Sequence, residues 1–110
     1  MARQAGERIM PGSGNVFAYI GLPDAEELDT KVRLGAALCH IVRQRGLTQA
    51  EVGSTLGINQ PKVSALLNYK LEGFSIERLM RFLVALGHDV EISIKARPRT
   101  RSARIAVKAA

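Results

Sequence analysis

Cysteine is nearly absent from this chain. One residue in 110, Cys39, excludes an internal disulfide framework. No apolar run approaches the roughly 18 residues of a membrane span, so no membrane association is expected. The opening stretch MARQAGERIMPGSGN lacks the continuous apolar core of a secretion signal. Together these absences point to a reducing, cytoplasmic setting. Acids are missing from the end of the chain, where none follows Glu91. Lys95, Arg97, Arg99, Arg101, Arg104 and Lys108 all lie beyond it. The first 94 residues hold ten cations and ten acids and are formally neutral, so the whole +6 net charge belongs to the tail. Such a tail is either a solvated, disordered end or a source of weak attraction to phosphate or an acidic partner.

What is present suits one small soluble domain. A hydrophobic share of 46% and a charged share of 24% are those of an ordinary globule. No internal repeat occurs. Residues 1–15 are polar and rich in Gly, Arg and Ser, and read as a flexible N-terminal arm. Val16–Leu22 is short and apolar and is expected to pack on the body. Pro23-Asp24, with Glu26 and Glu27 behind it, signals a helix start. That helix should reach Arg45 and stop at Gly46, with Leu28, Val32, Leu38 and Val42 on one inward stripe and Leu34 and Ile41 beside it. Near the other end, Ser75 caps a helix that turns Ile76, Leu79, Met80, Leu83 and Leu86 inward and ends at Gly87. His88–Lys95 alternates polar and apolar residues, the strand pattern, with Val90, Ile92 and Ile94 on one face.

Between these helices lies LTQAEVGSTLGINQPKVSALLN (Leu47–Asn68). Thr48 and Glu51 have capping-box spacing, so a short helix is expected over Gln49–Leu56. Gly57 breaks it. Asn59 caps the next helix, and Pro61 is tolerated in a first turn whose N–H groups lack helical partners. Tyr69–Phe74 reads as a loop. Two short helices joined by a glycine turn inside a bundle suggest a helix-turn-helix. Val52 and Leu56 would face inward, Ile58 would plug the turn, and Val63 and Leu66 would anchor the second helix. Asn59, Gln60, Lys62, Ser64, Ala65 and Asn68 remain outward or at the rim. Amide side chains can donate to and accept from base edges, and a lysine can neutralise phosphate. A plain αα-hairpin with its polar side chains in solvent has the same spacing.

The LTQ start, the GI turn and the VSALL second helix resemble the Cro/CI-like, or XRE, helix-turn-helix family. NVFAYIGLPDAEEL, GLTQAEVGSTLGINQPKVSALLNYKLEGFSIERLMRFLVALG and HDVEISIKARPR extend the likeness to the HigA-type antitoxins of toxin–antitoxin modules, over roughly residues 15–99. The resemblance implies a mainly α fold, a four- to five-helix Cro/CI-like bundle with one C-terminal β-strand. The helix-turn-helix domain would span residues 16–95, followed by a basic, disordered tail at 96–110. It further implies a homodimer that represses its own operon at a double-stranded DNA operator and binds a RelE-like toxin. Carried over position by position, Gln49 would meet a phosphate. Asn59, Gln60, Lys62 and Ser64 would sit on the base-reading surface, and Asn68 and Lys70 would lie near the DNA backbone. The chain departs from the family at Gly53, where alanine is common. It also has Val42 and Leu67 where many members pair arginine with glutamate. These two are expected to be buried and in contact.

Other chemistry finds little support. Cys39 and His40 are neighbours on a helix and His88 is distant, so neither a metal site nor a nucleophilic pair is expected. GSG (Gly12–Gly14) is too short for a phosphate loop. Arg78 and Arg81 read as a solvated helix face or as a minor phosphate contact, and Tyr69 as packing beside the loop or touching the DNA backbone. No enzyme, cofactor or metal is implied. A regulator that reads DNA without a toxin, and an interaction module that kept the fold without reading DNA, are the competing functions. Val90, Ile92 and Ile94 are the candidate dimer interface, because a lone strand leaves both its edges unpaired.

Overall fold

A computed structural model describes residues 24–109. Readings made on residues 1–23, including the Val16–Leu22 arm, and on Asp24 as a cap lie outside the described residues. Four helices follow in order: α1 (Asp24–Arg45), α2 (Gln49–Leu56), α3 (Gln60–Leu67) and α4 (Ile76–Ala85). None is long and apolar enough to cross a membrane.

Local chemistry sets the starts of the three short helices. Thr48 accepts from the Glu51 N–H at 3.1 Å, while the Glu51 carboxylate accepts from the Thr48 N–H at 2.8 Å, closing a reciprocal box. Asn59 and Ser75 cap α3 and α4 by accepting from the Lys62 and Arg78 amides at 3.0 and 3.1 Å. Each cap contributes about 1 kcal/mol. The turn between α2 and α3 rests on Gly57, whose φ of 71° is left-handed. There the Gly57 and Ile58 amides both donate to the Gly53 carbonyl, at 2.8 and 3.1 Å.

Packing divides into a large cluster and a small one. α1 and α4 enclose the larger, built on Leu34, Leu38, Ile41, Leu79, Phe82 and Leu83, with Leu66 of α3 and Leu71 and Phe74 of the following loop. Val42, Val52 and Val63 form the smaller, with Leu56, Ile58 and Leu67 packed against it. Val42 is buried, and Leu67 is half-buried beside the same three valines. An apolar cluster thus surrounds both side chains.

Two sequence expectations need correction. Leu28 and Val32 do not continue the inward stripe of α1 and are 54% and 39% exposed. Lower on α1 that side is covered by α3 and its loop, through Cys39, Val42 and the contact of Tyr69 and Leu71 with Gly35. At the start of α1 the buried stripe is carried by Thr30 and Leu34 instead. The second correction concerns the strand. No β-strand forms at His88–Lys95 or elsewhere among the described residues. Val90 packs against the larger cluster, whereas Ile92 and Ile94 are 75% and 80% exposed. A strand exists only with a hydrogen-bonded neighbour, and within the described chain nothing pairs with this segment. Beyond it, Ile105 and Val107 return half-buried to the body. The Ile105 N–H donates to Glu26 at 3.2 Å.

Gly53 is required by close approach. A Cβ there would stand 2.9 Å from the Ile58 carbonyl oxygen and 3.3 Å from a Val63 methyl. Alanine would gain about 1 kcal/mol of helix propensity, but overpacking against a backbone atom costs roughly 1–3 kcal/mol. Gly53→Ala is therefore expected to destabilise the domain by about 1 kcal/mol, read as a lower melting temperature. A rise in melting temperature would show that the turn yields freely.

Candidate nucleic-acid interface

The first turns of α2 and α3 emerge side by side. Val52 and Val63 are completely buried beneath them, so the polar side chains above stand on a fixed base. Gln49 and Gln60 are both exposed, and the Gln60 Nε2 lies 3.5 Å from the Gln49 Oε1. This pairing leaves the Gln60 carbonyl oxygen and the Gln49 amide nitrogen directed elsewhere. A braced amide with free donor and acceptor capacity is the chemistry that reads a base edge.

Asn59 is exposed, but its oxygen is occupied by the cap on α3. Its amide nitrogen alone remains to donate. Lys62 is exposed in the first turn of α3, and Ser64 is half-buried. Asn68 is exposed, yet its Nδ2 turns back onto the Ser64 carbonyl at 2.8 Å and lies 3.5 Å from the Ser64 Oγ. Lys70 is exposed just beyond the helix. Gln49, Asn59, Gln60 and Lys62 thus gather at the starts of the two helices, while Ser64, Asn68 and Lys70 follow along α3 and past its end.

A Schellman turn fixes the end of α3, the Lys70 N–H donating to Ala65 at 2.8 Å and the Tyr69 N–H to Leu66 at 3.2 Å. Tyr69 occupies the left-handed position with a φ of 59°, where glycine or asparagine is usual. Its ring lies over Gly35, where an added Cβ would stand 3.6 Å from it, an ordinary contact. Desolvation there, and then the neighbouring Cys39, raise the phenol pKa above its ordinary value. A phenol so placed stays neutral at physiological pH.

Arg78 also lies on this surface. Its guanidinium lies 5.8 Å from the Phe74 ring centre and 5.5 Å from that of Phe82. The Lys62 ammonium also lies 5.8 Å from the Phe74 ring. Two cations from different helices thus converge on one buried aromatic. Part of the signal was present in the spacing, since Arg78 and Phe82 lie four residues apart on α4 and share a face, whereas Phe74 comes from the loop before that helix. Arg81, by contrast, pairs with Glu77 at 2.8 Å. Among the described residues, no group of three or more His, Cys, Asp and Glu gathers to hold a metal ion.

Comparison with known proteins agrees with this geometry. A family model described as a helix-turn-helix domain matches residues 16–95. The chain is also similar to a solved structure described as an XRE family transcriptional regulator. The two are 61% identical with a TM-score of 0.77, over 80% of this chain and all of the other. No curated protein matches.

Proposed function

The chain belongs to the XRE helix-turn-helix family, and on that premise we propose that it is a cytoplasmic, DNA-binding transcriptional regulator that represses its own operon. One observation carries the reading: the braced Gln49–Gln60 pair and Lys62, exposed at the joined starts of α2 and α3 above a fully buried valine pair. In this reading Gln60 and Ser64 contact base edges, and Asn59 adds a single donor. Gln49, Lys62, Asn68 and Lys70 meet the phosphate backbone, and Arg78 joins Lys62 there. The protein acts as a homodimer whose two α3 helices enter successive major grooves about 34 Å apart. A gel shift on the protein's own promoter tests this directly. A discrete complex should form and resist competition by a scrambled duplex. Equal competition by both duplexes would refute base reading.

The antitoxin role rests on the resemblance of Asn15–Arg99 to HigA-type proteins. Its partner would be a small RelE-like toxin encoded beside this gene. Co-expression should give a complex that co-purifies and relieves growth arrest. If the neighbouring product neither co-purifies nor is neutralised, the protein is a regulator acting without a toxin.

A further inference from the structure

We propose that Lys95–Arg104 is a second DNA contact, a tethered cationic loop that grips phosphates without reading sequence. This rests on the DNA-binding reading above and adds a separate source of affinity. Non-specific affinity for a duplex comes almost entirely from cations that displace its counterions. The first 94 residues are formally neutral, and the excess of six cations lies wholly beyond Glu91. The base-reading surface itself offers Lys62, Lys70 and Arg78. A neutral body with three local cations is a weak polyelectrolyte ligand, and the loop supplies what it lacks.

The loop is held at both ends. Val90 packs on the large cluster before it. After it, the Ile105 N–H is bonded to Glu26, and Val107 packs on the same cluster. Between these anchors Lys95, Arg97, Arg99, Arg101 and Arg104 are all exposed. A turn closes at Pro98–Arg101 through a 3.5 Å backbone bond. Arg97 donates to the Arg101 carbonyl at 3.1 Å, and Arg101 to the Ser102 carbonyl at 3.0 Å. Among the described residues, none of these cations has a carboxylate partner within 4.0 Å; the ion pairs found there lie within α1 and α4. Four cations within seven residues repel one another. A polyanion relieves that repulsion, and duplex DNA carries one charge per about 1.7 Å of its axis. Anchoring also lowers the ordering entropy that a free tail would lose on binding.

The test uses the full chain with Lys95, Arg97, Arg99 and Arg101 all changed to Gln. Affinity for the promoter duplex and for a scrambled duplex of equal length is measured across about 50–200 mM KCl. Each lost phosphate contact lowers the slope of log K against log salt by about 0.9, so the four together should flatten it by up to about 3.6 per subunit. Both duplexes should lose affinity together, and their ratio should hold. The charge-keeping variant R97K/R99K/R101K should retain the parent slope. A quadruple variant with the parent slope would overturn the proposal, as would a charge-keeping variant that loses as much as the quadruple. Failure of base reading appears elsewhere, as a parent that prefers neither duplex, and the comparison of slopes remains valid in that case.

Discussion

Replacing Gln60, Lys62 and Ser64 together by alanine should abolish selective binding to the promoter while leaving the fold intact. Each lost base contact costs about 1–3 kcal/mol. Losing those of Gln60 and Ser64 therefore removes about 2–6 kcal/mol per subunit, roughly thirty-fold to more than ten-thousand-fold in affinity. The single changes should differ in kind. Gln60→Ala removes the braced amide and should relax base preference. Lys62→Ala should weaken every duplex alike and lower the salt slope by about 1. The core beneath is untouched, because Val63 and Leu66 face inward from the same helix and are almost fully buried. Stability should stay within about 0.5 kcal/mol of the parent. A triple variant that binds the promoter as tightly and selectively as the parent would remove α3 from the base-reading role.

The helix-turn-helix was legible because each signal in it is local. Thr48 with Glu51, Gly57, and Asn59 before Pro61 act within one turn of chain, and the structure reproduces each of them. The valines beneath were legible from spacing alone. Long-range packing was not. Nothing near Leu28 or Val32 says that the cover supplied by Tyr69 and Leu71 reaches only as far as Gly35. Gly53 was legible as a residue that loosens the helix yet permits close packing, but the atom it must clear was not: a Cβ there would stand 2.9 Å from a carbonyl five residues later. The return of Ile105 to Glu26 spans 79 residues of sequence and has no local signature. Within the site, the sequence named the side chains but not their pairings. Asn59 is half-occupied by its cap and Asn68 by its own helix, and only the structure distinguishes these from the freer Gln60.

Ile92→Lys should convert a dimer to a monomer and cost more operator affinity than Lys62→Ala does. The alternation Val90, Ile92, Ile94 is a strand pattern, yet the described chain forms no strand there. Val90 is half-buried against the body, while the two isoleucines stand at 75% and 80% exposure. These exposed isoleucines at alternate positions lie on a segment whose backbone has no ladder partner among the described residues. In the proposed homodimer the same segment of a second molecule, antiparallel across a two-fold axis, would supply both the ladder and the apolar cover, and such an interface would be self-complementary. A lysine at position 92 would place two charges close together on that axis, where like-charge juxtaposition across an interface costs several kcal/mol. A monomer engages one half-site, so it also forfeits the roughly 10²–10⁴-fold gain that linking two binding units gives. Lys62→Ala removes one phosphate contact per subunit and leaves that linkage in place. Sedimentation should therefore report a monomer for Ile92→Lys with helical content unchanged, since the residue lies outside all four helices. A variant that stays dimeric would move the interface elsewhere, and the exposed apolar pair Leu28 and Val32 on α1 would be the next surface to test.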